Sequence, residues 1–170
     1  SALFHSSFRV GSIVGKQLIL LRKEDSCEGL IESNRIFRVN VTTLSAIPIR
    51  TPWIDKILAG TKTWEIRTKN TKKIGPVALI RSGSGTVVAT AFLSEVKELT
   101  ASFARANAGR MGMSASEAAA SVGCYAWVLK DVVALKKPVP YKHPPGAVTW
   151  VRLDESTTKQ VYTEAKRSRR

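Results

Sequence analysis

Apolar positions along this chain come in short bursts whose spacing switches between periods of two and three to four, which predicts a succession of strands and small helices. Residues 41–49, rich in Val, Thr and Ile, predict a first strand. Thr51 then stands as an N-cap with Pro52 at the first helical position, and the helix is expected to end at Gly60. Its apolar residues Trp53, Ile54, Ile57 and Leu58 share one face and are expected to plug one end of a small barrel. Three more strands are predicted at residues 63–68, 77–81 and 86–97, with a basic loop at 70–73 before the second of them. Thr100 caps a short helix running to Gly109, and Ser114-Ala115-Ser116-Glu117 forms a capping box for another. Strands at 125–135 and 148–153, joined through 138–146, complete an α+β fold: a small β-barrel with a few short helices.

The two ends of the chain read differently from its middle. Residues 1–40 hold an apolar run at 18–21 and a second candidate strand at 36–39, an N-terminal extension that adds a hairpin to the barrel. Residues 41–155 form the barrel domain. Residues 156–170 end in Lys166-Arg167-Ser168-Arg169-Arg170, show no hydrophobic period, and are expected to be a disordered basic tail. The first 23 residues contain Arg9, Lys16, Arg22 and Lys23 with serines and no acid, the composition of an organellar transit peptide. The run Gln17-Leu18-Ile19-Leu20-Leu21 reads instead as a strand, so a cytoplasmic location is the expectation and organellar targeting its alternative. No apolar run is long enough to span a membrane.

Charge narrows the class of partner. The chain has 170 residues and a formal net charge of +14, a balance that favours a polyanion. Residues 39–155 carry sixteen Lys/Arg against eight Asp/Glu, so the surplus belongs to the barrel segment and not only to the last fifteen residues, which hold five against one. The partner class is therefore nucleic acid or an acidic membrane surface, with an acidic protein as a further alternative. Cys27 and Cys124 are far apart, and His5 and His143 are the only histidines. That set assembles no zinc site of the usual Cys/His type and no Ser-His-Asp triad, so neither metal nor cofactor is expected.

Residues 60–67, Gly60-Thr61-Lys62-Thr63-Trp64-Glu65-Ile66-Arg67, concentrate three charges on a short strand after a turn glycine. Alternation puts Glu65 and Arg67 on one face, with Lys62 at the strand mouth where twist brings its ammonium to the same cleft. Trp64 falls on the opposite face and is expected in the core.

Together with Pro52-Trp53-Ile54-Asp55-Lys56-Ile57-Leu58-Ala59 before it and Ile80-Arg81-Ser82-Gly83-Ser84-Gly85 after it, this stretch resembles the ASCH domain (activating signal cointegrator homology). That family is marked by G-x-K-x-x-E-x-R, filled here by Gly60, Lys62, Glu65 and Arg67. The resemblance runs from about residue 41 to 153. It implies a PUA-like β-barrel whose cleft holds the motif, and a role in RNA binding or RNA-linked chemistry. Acetylcytidine-hydrolysing relatives carry Lys-Thr-x-Thr, where the lysine matches Lys62 and the catalytic threonine falls on Glu65; that departure argues against this amidohydrolase activity.

The expected function is binding of RNA or a modified nucleoside in a basic cleft. Lys62 and Arg67 would be phosphate or carbonyl ligands, with Glu65 holding them or accepting a base amino group. Trp53 would stack a base. Arg81, Ser82, Gly83 and Ser84 would offer charge and converging amides, against the plainer reading of a strand turn. Lys69, Lys72 and Lys73 would extend a positive rim. One alternative is a hydrolase acting on RNA or a modified nucleoside, with Lys62 as base and Glu65 as proton shuttle. Burial or Arg67 would have to lower the Lys62 pKa, while Glu65 opposes that. The other is a protein-interaction module in transcription or translation.

Overall fold

Ile47 and Ile49 on one side of a strand, and Leu44 and Ala46 on the other, belong to two different cores, so the sheet carrying them is covered on both faces. The structure, a computed structural model, describes residues 43–170. The predicted hairpin at the N-terminus, the transit-peptide reading and Cys27 lie outside the described residues. The strands are β1 (Ser45–Ile49), β2 (Trp64–Arg67), β3 (Gly75–Arg81), β4 (Thr86–Glu98), β5 (Tyr125–Pro140) and β6 (Val151–Arg152). The helices are α1 (Trp53–Leu58), α2 (Ala101–Ala106), α3 (Ala108–Met111), α4 (Ala115–Ala119) and α5 (Glu155–Ser168). All six strands form one sheet in the order β2-β5-β4-β3-β1-β6. β1 and β3 are parallel, and the remaining pairs antiparallel.

The expected α+β class holds, and the sheet takes the form of a curled half-barrel. Its curl comes from β4 and β5, whose pairing slips register three times; such bulges bend a strand and increase its twist. Asp131, at φ +50° between the paired residues Lys130 and Val133, sits at one of them. The concave side is filled by Ile47, Ile49, Val77, Leu79, Leu93, Trp127 and Leu129, with Ile54 and Ile57 of α1 inserted among them. Trp53 and Leu58 pack on the same cluster, so α1 presents the face its spacing predicted. A second cluster on the outside joins Trp64, Ala126 and Val128 to α2, α3 and α4. Trp64 is thus a core residue, stacked on Phe103 at 5.7 Å, and half-buried Cys124 packs beside it.

Boundaries at α1, β5 and β6 differ from expectation. α1 begins one residue late: Pro52 is its N-cap, and the Thr51 hydroxyl accepts from Arg81 Nη1 at 3.3 Å instead of capping. β5 continues through the predicted connection to Pro140; past Val128 it no longer pairs with β2, and that free edge tolerates Pro138 and Pro140. β6 is only two residues long.

The largest correction concerns residues 156–170, expected to be a disordered tail: all but the last two belong to helix α5. Asp154 caps it, its carboxylate accepting from Thr157 N at 2.7 Å. Thr157, Thr158, Val161 and Ala165 then bury one stripe against the sheet's outer face. Val161 and Ala165 join Leu44, Leu135, Val139, Val151 and Leu153 there, and Thr158 Oγ1 accepts from Leu44 N at 3.1 Å. Two threonines and Glu164 make up three of the helix's five buried residues, which is why no hydrophobic period shows.

Candidate functional site

After α1 the chain turns through Gly60, whose φ of +75° is the left-handed conformation that ends many helices. Lys62 N donates back to Lys56 O at 3.1 Å and Thr63 N to Arg110 O at 2.9 Å, which slides Lys62 beneath the end of α3. Gly112 makes that approach possible: its φ is +68°, and a Cβ there would stand 3.2 Å from Lys62 Cβ and from Lys56 Cδ. Lys56 Nζ in turn donates to Gly112 O at 2.6 Å.

Lys62 is 1% exposed. Its ammonium donates to Trp64 O at 2.6 Å and Met111 O at 3.1 Å, and lies 3.6 Å from Glu65 Oε2. The two carbonyls take two of its three protons, and Glu65 pairs with its charge. Glu65 is also buried, its other oxygen 3.3 Å from Arg67 Nε. That Nε is buried and makes no well-directed hydrogen bond, whereas Arg67 Nη2 donates to Pro48 O at 2.5 Å. The structure therefore gathers the three motif charges into one buried cluster around Glu65. Burial lowers the Lys62 and Arg67 pKa values and raises that of Glu65, while the ion pairs within the cluster oppose each shift.

A column of side chains leads outward from this cluster. The Arg67 guanidinium lies over Trp127, 5.7 Å from the ring centre. Trp127 stacks on Trp150 at 5.0 Å and 22°, and Lys73 Nζ lies 4.7 Å over Trp150. Trp127 is fully buried and tied by Nε1 to Lys69 O at 3.2 Å. Trp150 is half-buried, while Ile74 and Val148 nearby in the chain are 53% and 78% exposed. Lys73 is anchored to Ser45 Oγ at 3.1 Å. Neither Trp127 nor Trp150 was singled out from the sequence, where nothing near either marks it as a neighbour of Arg67.

The other sequence candidates fall around this centre unevenly. Trp53 is half-buried, with the Lys56 and Lys62 ammonium groups 4.9 and 5.2 Å from its ring centre. Arg81 is engaged by Asp55 at 2.6 Å, and that contact holds the Asp55 carboxyl below its ordinary pKa. Ser82 and Ser84 donate their amides to Ile49 O and Arg81 O, and Ser84 Oγ accepts from Thr86 N. With Gly83 at φ +80°, this segment has the hydrogen bonding of a β-turn. Lys69 enters through its carbonyl, and Lys72 is exposed. Among the described residues no group of three or more His, Cys, Asp or Glu side chains gathers, and no helix is long and apolar enough to cross a membrane.

A mixed α+β half-barrel with a buried Lys-Glu-Arg cluster at its seam is the class of protein these elements define. The ASCH domain family model matches residues 47–139, more than half of the chain, and the chain belongs to that family. Its fold is similar to the crystal structure of the ASCH protein from Zymomonas mobilis, with a TM-score of 0.56 and 14% identity over 70% of this chain and 93% of that one. Two single-mutant forms of the same protein match with a TM-score of 0.55 and 15% identity, covering 70% of this chain and 96% and 94% of theirs. No curated protein matches the sequence.

Proposed function

We propose that this ASCH-domain protein binds RNA, or a modified nucleoside within RNA, on the open side of the half-barrel. The column Arg67, Trp127, Trp150, Lys73 carries the reading. A half-buried tryptophan braced from behind by a buried one is a platform for an unpaired base, and each such stack contributes about 1–3 kcal/mol. Lys73, held by a single exposed hydrogen bond, is free to leave the Trp150 ring for a phosphate when a base takes its place. The net charge of +14 attracts the polyanion, and the family's presumed link to RNA agrees.

In this reading Lys62 and Glu65 are positioning residues. Their polar atoms face Trp64 O, Met111 O and Arg67, and they hold Arg67 against Trp127. The hydrolase alternative would need Lys62 to reach a substrate, and an ammonium 1% exposed with three partners does not reach one in this arrangement. The test is retention of a mixed pool of cellular RNA by wild type and by a Lys73→Ala/Trp150→Ala double variant. Loss of retention in the variant supports the open side as the binding surface. Equal retention overturns it, and cut RNA ends would favour the hydrolase.

A further inference from the structure

We infer that the outer face of α5, with the cleft between it and the end of β5, is a second surface that tracks the phosphate backbone of a nucleic acid. It is separate from the open side: α5 packs on the cluster of Leu44, Ala46 and Ile80, whereas Trp127 and Trp150 belong with Ile47, Ile49 and Leu79, across the sheet. The inference stands on α5 itself and does not require the Trp150 platform.

Because Thr157, Thr158, Val161 and Ala165 fix one stripe of α5 against the sheet, its opposite side has a fixed direction. Lys159 and Lys166 recur there at a spacing of seven, within about 20° of one another at 100° per residue; Arg167 flanks them, and Arg170 follows just past the end of the helix. All four are exposed. The three helical cations extend over about 12 Å at 1.5 Å per residue, long enough to meet several phosphates of one strand at ~3.4 Å each. Beside them runs a cleft of about 340 Å³ lined by Lys137, Lys159, Gln160, Thr163, Glu164 and Arg167, which adds a further cation from β5.

Two carboxylates stand near this row, and neither cancels it. Glu164 is buried, accepts from Lys137 N at 3.1 Å and lies 3.7 Å from Arg167 Nη1, so it serves the joint between α5 and β5. Glu155 pairs with Lys159 at 2.6 Å, but both side chains are more than half exposed, and such a pair exchanges readily for a phosphate. A membrane is the poorer partner. An interfacial helix inserts its apolar stripe into lipid, and here Val161 and Ala165 are already buried against the sheet.

The test replaces Lys159, Lys166, Arg167 and Arg170 by Gln together in the full chain and measures RNA affinity against salt. Each lost phosphate contact makes the log–log slope less negative by about 0.7 on a single strand and 0.9 on a duplex, so loss of all four should flatten it by roughly 3–4. The circular dichroism spectrum and Tm should stay close to wild type, since the four side chains are exposed. Trp150→Ala separates the two surfaces, because it should lower affinity with little change of slope. A slope unchanged in the quadruple variant overturns the inference. So does loss of binding to anionic phospholipid vesicles at an unchanged RNA slope, which would assign the face to a membrane.

Discussion

Arg67 on β2 donates from Nη2 to the carbonyl of Pro48 on β1, 2.5 Å away, although β5, β4 and β3 stand between those strands in the sheet. The bond crosses the seam that the curled sheet leaves open, and Glu65 holds the guanidinium in place from the other side. Arg67→Ala should cost about 1–3 kcal/mol by leaving Glu65 and Pro48 O short of a partner. Glu65→Ala should cost more, about 3–5 kcal/mol, because two buried cations lose their shared anion. Urea unfolding measures both, and a Glu65→Ala variant within 0.5 kcal/mol of wild type would show that the cluster does not hold the seam.

Gly112 should be less replaceable than the motif glycine. Gly60→Ala meets no atom within 4 Å and carries only the cost of its positive φ, about 1–2 kcal/mol. Gly112→Ala carries the same cost and also pushes on Lys56 and Lys62 at 3.2 Å. Its Tm should fall further than that of Gly60→Ala, and equal losses would mean that α3 moves away from Lys62 freely.

Burial raises the Glu65 pKa above its ordinary value, so the folded state holds this proton more tightly than the unfolded chain. The resulting stability is complete below the ordinary Glu value of about 4.3 and is lost as pH rises through the folded-state pKa. The unfolding free energy of wild type minus that of Glu65→Gln should therefore fall with rising pH above about 4.3. A difference that rises over the same range would show that the ion pairs to Lys62 and Arg67 outweigh burial.

Residues 155–168 should behave as part of the core. Thr158→Val keeps the shape but leaves Leu44 N buried without its acceptor, for an expected loss of about 1–3 kcal/mol. Val161→Ala removes two buried carbons, worth about 1.5 kcal/mol before any cavity cost. Unfolding curves identical to wild type for both variants would mean that the helix does not dock.

What was legible in the sequence was whatever depends on local order. The face of α1, the caps at Thr100 and Ser114, and the core position of Trp64 all follow from spacing within a few residues. Alternation also put Glu65 and Arg67 on one face. What lay hidden depends on partners far along the chain. Met111 O and Gly112 meet Lys62 from some fifty residues away, and Trp150 reaches Arg67 only through Trp127. Helix α5 was hidden for a different reason: its buried stripe uses Thr157 and Thr158, whose hydroxyls bond to Asp154 and to Leu44 N.

The open side of the half-barrel is tested most directly by the affinity of the full chain for a short unpaired oligoribonucleotide, with Trp150→Ala and Trp150→Phe beside wild type. Stacking on Trp150 predicts a 5- to 150-fold loss for the alanine variant, the equivalent of about 1–3 kcal/mol, and recovery of most of it by phenylalanine. Equal affinity of all three proteins, each folded by its Tm, would contradict the platform and with it the proposed site.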